Sequence, residues 1–275
     1  MTQSAATSSG SESLNTLAPV SRDYGVSSVR KALELLVRFT PQVTSWSLSD
    51  LARAAHMPKS TAHNLLRTLQ AFDLVRQDPD THSYRLGPRA LELGFTFARG
   101  ADVLSRARPV LSRLAETTGE TVKLGMLSQG QVLIIASMES TRQLHTRGDV
   151  GTRWPLHSSS LGKAMLSVLP TREAADILAR RGMPRFTPAT FTTRAGIERE
   201  IQGIRSRGYA LDREESEPGV CCVAAPIADA LLHTVAAISV SGPGVRMQAN
   251  VLEEYATHVT TAARTVARYF ERQTL

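Results

Sequence analysis

Apolar positions recur with a helical period through much of the chain. Between residues 27 and 39, Val29, Leu33, Leu36 and Val37 fall at i, i+4, i+7 and i+8, one face of a helix. Ser27 or Ser28 can cap it, and Thr40-Pro41 ends it, because proline disfavours the α-conformation in the residue before it. Ser47 and Asp50 resemble a capping box with Asp in place of Glu. They open a helix of about two turns whose stripe is Leu48, Leu51, Ala52 and Ala55. His56-Met57-Pro58 breaks that helix, and Pro58 suits the first turn of the next. In residues 59–71 the buried stripe is Ala62, Leu65, Leu66 and Leu69, continued by Phe72. The period then drops to two. Val75 and Gln77 oppose Arg76, and Tyr84 and Leu86 oppose Arg85, around an Asp78-Pro79-Asp80 turn. Two short helices across a tight turn, followed by a hairpin, predict a winged helix-turn-helix, which places one helix in the DNA major groove.

Further along, residues 89–99 predict a linker helix with Leu91, Leu93, Phe95 and Phe97 on more than one side, which calls for a partner, either the same helix of a second subunit or the helix's own domain. Residues 103–118 predict another helix, with Leu104, Val110, Leu111 and Leu114. Residues 121–127 and 131–135 flank Ser128-Gln129-Gly130 as a hairpin. Helices follow near 160–169, 171–181 and 194–207, strands at 220–227 and 234–241, and a last helix at 250–272 carrying Leu252, Tyr255, Val259, Ala262, Val266 and Tyr269. Mixed helices and turn-linked strands give an α+β class with a largely antiparallel sheet. The division read from this pattern is a disordered tail at 1–22, a winged helix-turn-helix domain at 23–87, a linker helix at 88–101 and a second, α+β domain at 102–275.

Composition narrows the choice. The chain has 275 residues, enough for two domains, and a formal charge of +7. That charge permits a polyanion partner without arguing for one, since residues 1–100 carry 11 Lys and Arg against 8 Asp and Glu. The two cysteines, Cys221 and Cys222, are adjacent, a strained geometry for a disulfide, and suit a reducing, cytoplasmic setting. No apolar run approaches a membrane span, and the polar N-terminus lacks the apolar core of a secretory signal.

The strongest local chemistry lies opposite the stripe of residues 59–71. That face carries Lys59, Ser60, Thr61, His63, Asn64, Arg67 and Thr68, and no acid. Lys, Ser and Thr suit phosphates, whereas His63, Asn64 and Arg67 can reach base edges. Arg76 and Arg85, facing outward from the wing, suit phosphates; the plain alternative is two solvated arginines. In the second half, Ser158, Ser159 and Ser160 open a helix whose first N–H groups lack acceptors. That arrangement suits a carboxylate, or reflects N-capping alone. Leu161-Gly162 leaves room for a ligand to approach the backbone. Ser239 and Ser241 share one face of a strand, lining a polar pocket or facing water. Read by itself, Asp212 is a surface acid and Cys222 a core thiol.

Several blocks resemble the IclR-type bacterial transcription regulators: L-S-D-L-A, P-K-S-T-A-H-N-L-L-R-T-L and Y-R-L-G in the first half, then Gly119-Glu120-Thr121-Val122, the P-L-H-S-S-S-L-G-K-A run from Pro155, Gly208-Tyr209-Ala210, Glu214-Glu215, and G-V-C-C-V-A-A-P from Gly219. The resemblance spans residues 25–270 or so. It implies a GAF-like effector domain, a double-stranded DNA operator, self-association as a dimer or dimer of dimers, and a small organic-acid effector. It also implies that Ser160, Leu161, Asp212, Cys222, Ser239 and Ser241 contact that effector. Two positions depart from the family: Asn64, where Arg is frequent, and Ser160, where Ala or Gly is common. The rival reading is an enzyme using Cys222 and His157, for which no nucleophile elbow, P-loop or dinucleotide motif speaks. His145, His157 and His233 show no short ligand spacing, so no metal and no cofactor is expected.

Overall fold

The computed structural model describes residues 25–100, 102–227 and 235–271. The tail at 1–22 lies outside them, as does His233. Contacts divide the chain into two units that meet between Ser105 and Arg106.

The N-terminal unit runs α1 (Ser27–Leu36), β1 (Ser45–Trp46), α2 (Leu48–Ala54), α3 (Lys59–Ala71), β2 (Val75–Gln77), β3 (Tyr84–Leu86) and α4 (Pro88–Gly100). The three strands form one antiparallel sheet in the order β1-β3-β2. Its core gathers Leu35 and Phe39 from α1 and its exit, Leu51 and Ala52 from α2, Ala62, Leu66 and Leu69 from α3, and Val75 and Tyr84 from the hairpin. The Ser47 cap forms: its Oγ accepts from Asp50 N at 3.1 Å and donates to Asp50 Oδ2 at 2.7 Å. Trp46 Nε1 donates to Arg38 O at 3.1 Å, tying β1 to the end of α1.

Four sequence expectations are corrected here. No serine caps α1; Val26 holds that position without a side-chain bond. Val29 and Leu33, expected in the core, are 55% and 54% exposed, and Leu35 takes the buried position instead. Of the apolar stripe of α1, Leu36 packs against the core, whereas Val29, Leu33 and Val37 are left uncovered in this unit. Phe72 is likewise 67% exposed, because α3 ends at Ala71 and the chain turns there. Pro58 stands just before α3, in extended backbone, rather than in its first turn.

The C-terminal unit begins within α5 (Asp102–Thr118). It continues with β4 (Thr121–Ser128), β5 (Gln131–Met138), β6 (Arg153–Trp154), α6 (Ser160–Val168), α7 (Thr171–Arg181), α8 (Arg194–Arg207), β7 (Ala210–Arg213), β8 (Val220–Ile227), β9 (Ala236–Pro243) and α9 (Ala249–Glu271). The six strands form one antiparallel sheet ordered β6-β5-β4-β9-β8-β7. Strand alternation gives it two faces. One carries Gly125, Val132, Ile134, Ala210, Ala224 and Ala237 beneath α6, with Leu161, Ala164 and Met165 packed on it and α8 behind. The other carries Val122, Leu124, Val223, Ala225, Ile238 and Val240, all buried, and α9 lies across β8 and β9. The hairpin from Thr121 is longer than the sequence pattern gave, and β1, β6 and β7 were not foreseen. Among the described residues no helix is long and apolar enough to cross a membrane.

Candidate functional site

In the N-terminal unit, α3 turns Lys59, Ser60, His63, Asn64, Arg67 and Thr68 outward, with Thr61 half-buried. Helical spacing places His63, Asn64 and Arg67 on adjacent turns of that face. Among the described residues, Lys59 and Arg67 form no ion pair, so their charges are open to a partner. The wing arginines differ from one another. Arg76 is held in a fork by Asp73, Nε to Oδ1 at 2.9 Å and Nη2 to Oδ2 at 3.2 Å. Arg85, its direct cross-strand partner, is exposed and has no such fork. Two cations opposite each other on one ladder repel, and an anion between them relieves that repulsion.

In the C-terminal unit the six candidate residues converge. Asp212, Cys222, Ser241 and Thr121 are register partners across β7, β8, β9 and β4, and Ser239 lies two residues from Ser241 on the same face. That face looks toward the start of α6, which contributes Ser160 and Leu161. All six are buried. Ser239, only 1% exposed, keeps a buried Oγ with no hydrogen-bond partner among the described residues. Ser159 caps α6: its Oγ accepts from Gly162 N at 3.1 Å and donates to Pro155 O at 2.6 Å. The N–H groups of Ser160 and Leu161 stand at positions without intrahelical acceptors.

Two expectations change in this region. Asp212 is 2% exposed rather than a surface acid. Its Oδ1 accepts from Glu215 N at 2.7 Å, and burial pushes its carboxyl up. The space over Gly162 admits no ligand either. A Cβ there would lie 2.4 Å from Leu156 Cα and 2.5 Å from Leu156 O, so the backbone of the Pro155-Leu156-His157 turn fills it.

Two polar clusters flank this face. At the β4 end, buried Glu120 receives Arg142 Nη1 at 2.8 Å and a fork from Arg246, 2.7 and 2.9 Å. Thr121 Oγ1 donates to Thr146 O at 2.7 Å, so residues 140–146 are pinned along that edge. At the β7 end, Lys163 Nζ bonds Glu215 Oε2, with Glu200 Oε1 at 4.0 Å, itself held by Arg207. Burial, opposed by Lys163, leaves the Glu215 carboxyl at about 7. Ser158 and Ser216 hydroxyls meet at 3.2 Å, joining the entry to α6 with the loop after β7. Sequence reading passed over Lys123, Ser137 and Glu120. Lys123 and Ser137 are cross-strand partners on this face, and the alternation along 121–125 is the local signal for Lys123.

Cys222 does not suit nucleophilic chemistry. Burial raises its thiol to about 12, and Asp212 adds to that. His157 is engaged elsewhere, Nε2 to Pro184 O at 2.9 Å, and its ring stacks on Phe186.

Known proteins agree with these two units. Residues 28–79 match the IclR helix-turn-helix domain, and residues 95–268 match the bacterial transcriptional regulator IclR C-terminal domain. The chain is 37% identical over 240 residues to the HTH-type transcriptional regulator BhcR of Paracoccus denitrificans, covering 87% of this chain and 86% of that protein. It is 33% identical over 243 residues to the transcriptional repressor IclR of Escherichia coli, covering 88% and 89%. An IclR transcriptional regulator from Silicibacter sp. superposes with a TM-score of 0.80 at 29% identity, over 89% of this chain and 96% of that one. These proteins regulate transcription and are not enzymes, which removes the thiol-enzyme alternative. The chain belongs to the IclR family of DNA-binding bacterial transcriptional regulators.

Proposed function

We infer that this chain is a cytoplasmic, sequence-specific regulator whose grip on a double-stranded operator is set by a small organic acid bound in its C-terminal domain. The domain division we adopt is 23–87 for DNA binding, 88–101 for the linker helix and 102–275 for effector binding. DNA reading rests with His63, Asn64 and Arg67 toward bases, and with Lys59, Ser60, Thr61, Arg76 and Arg85 toward phosphates. The effector contacts Ser160, Leu161, Asp212, Cys222, Ser239 and Ser241. The observation that carries the effector reading is the buried, unpartnered hydroxyl of Ser239 on a face shared with Asp212, Cys222 and Ser241. An orphan donor in a native interior asks for a partner. An acid bound there shifts DNA affinity only by its differential affinity for two arrangements of the protein. The genes regulated are those of carbon-source or aromatic-compound breakdown, where such acids arise. The chain's own upstream DNA, with competitor DNA present, tests the first half by gel shift. Calorimetry against a panel of carboxylates tests the second; binding of neutral or cationic compounds alone refutes it.

Two exposed apolar surfaces support self-association. On α1, Val26, Val29, Leu33 and Val37 form an uncovered stripe, and on α4 Leu91, Leu93, Phe95 and Phe97 are all exposed. Each large side chain covered by a second copy contributes roughly 1.5–3 kcal/mol. Leu91→Ser with Phe95→Ser, four residues apart on one helical face, is expected to convert dimer to monomer in light scattering and to weaken operator binding with it. An unchanged mass would place the interface elsewhere. Two-fold pairing predicts a roughly palindromic operator with half-sites about 34–36 Å apart or a multiple of that.

A further inference from the structure

The chain carries only four lysines, Lys31, Lys59, Lys123 and Lys163, among 32 basic residues. Both lysines of the C-terminal unit are buried, and they are treated differently. Lys163 is neutralised by Glu215. Lys123, 7% exposed, forms no ion pair and no hydrogen bond among the described residues. Its Nζ lies 5.8 Å from the centre of the Trp154 ring. Burial lowers its affinity for a proton, and Cys222, Glu217, Asp212 and Asp149 oppose that only from a distance.

Two hydroxyls flank it on the sheet. Ser137 on β5 and Ser239 on β9 are its direct cross-strand partners on either side. Both Oγ atoms are buried without a hydrogen-bond partner among the described residues. Three donors thus stand in one row across β5, β4 and β9, at the ladder spacing of about 4.8 Å. Gly148 closes over the row: a Cβ there would lie 2.3 Å from Ser137 Oγ and 2.9 Å from Lys123 Cε. The rest of this face mixes Gly125, Ile134, Ala224 and Ala237 with Thr121, Asp212, Cys222 and Ser241. A buried ammonium without a counter-charge costs stability that methionine in its place would not. An anion seated on the row supplies that counter-charge and gives both hydroxyls an acceptor.

We propose that Lys123, Ser137 and Ser239 form the docking row for the effector's carboxylate, and that Lys123 is the residue that restricts the pocket to acids. The proposal rests on the effector reading above and adds Lys123 and Ser137, which lie outside the six positions named there.

The test uses the full-length chain, calorimetry and thermal unfolding against small carboxylates and their carboxamides. Wild type is expected to bind at least one carboxylate and not its amide. Lys123→Met is expected to unfold at a higher temperature than wild type without ligand, and to bind that acid about 100-fold more weakly. Ser137→Ala, which removes an orphan hydroxyl and leaves the fold intact, is expected to weaken the acid about tenfold. A Lys123→Met protein that melts lower and binds the acid as wild type does makes Lys123 structural and overturns the row while the effector reading stands. Unchanged binding by Ser137→Ala overturns it too, and decides the matter should Lys123→Met fail to fold. Equal binding of acid and amide refutes the restriction to acids. If wild type binds no carboxylate, the effector reading falls and the row with it.

Discussion

Asn64→Ala combined with Arg67→Ala removes operator recognition and leaves weak, salt-sensitive binding to any DNA. Each side chain that reads a base edge with two hydrogen bonds discriminates by about 1–3 kcal/mol, so the pair together sets roughly 30-fold to 10⁴-fold in specific affinity. Both residues are exposed on α3, whose buried contacts come from Ala62, Leu66 and Leu69 instead. The thermal midpoint of the variant should therefore match wild type, which separates lost reading from lost folding. Lys59→Ala makes the contrast. It should weaken all sequences alike and reduce the slope of log affinity against log salt by about one. Arg85→Ala should behave like Lys59→Ala, and Arg76→Ala more weakly, because Asp73 already occupies the Arg76 fork. Titrations by fluorescence anisotropy with competitor DNA distinguish these outcomes. Undiminished specific binding by the double variant would show that α3 is not the reading helix.

Periodicity made α3 and the wing legible because they are local: a turn, a cap, a stripe and a two-residue alternation. It also found the stripe on α1, but an apolar period says only that a face is covered, not by what. Val29 and Leu33 are exposed on their own unit, so the pattern marked an apolar face without marking a core. The two-residue strands β1 and β6 are too short to show any alternation. The pocket was legible in part, through the shared parity of Ser239 and Ser241. Asp212 was not, because a charge in a short strand reads as surface until β8 and the loop at Glu215 and Ser216 are known to enclose it. Lys123 was missed for the same reason. The alternation Thr121, Lys123, Gly125 reads as a solvent face, and the segment that covers it, α6 with the turn before it, arrives more than thirty residues later. Long-range covering decides burial, and burial is what turns an ordinary lysine or serine into a candidate ligand contact.

The Lys163–Glu215 pair gives the largest expected loss of stability from one side chain. Lys163 is fully buried, and Glu215 nearly so. Removing one partner of a buried ion pair strands the other, at about 3–5 kcal/mol. Lys163→Met should therefore lower the unfolding midpoint by on the order of 10 °C near neutral pH, given about 2–4 °C per kcal/mol at this size. The pH dependence identifies the stranded group. In the folded protein the Glu215 carboxyl sits at about 7, above its ordinary 4.5, because burial outweighs the pull of Lys163. A carboxyl raised in this way binds its proton more tightly folded than unfolded. Its contribution is fully present below about 4.5 and is lost as pH rises through about 7. Without the lysine the carboxyl moves higher still, since an opposing charge has gone. The deficit of Lys163→Met relative to wild type should then be smaller near pH 5.5, where Glu215 holds a proton, and grow toward pH 8. Adding Glu215→Gln should recover much of the loss at pH 8, because no stranded charge remains, and the double-mutant cycle gives the coupling directly. A deficit that does not change between these pH values would assign the cost to packing around α6 rather than to Glu215. Asp212 shares the neighbourhood and its carboxyl is also pushed up by burial. Measuring effector affinity over the same pH range then shows whether this cluster, at the β7 end of the pocket, is coupled to the ligand as well as to the fold.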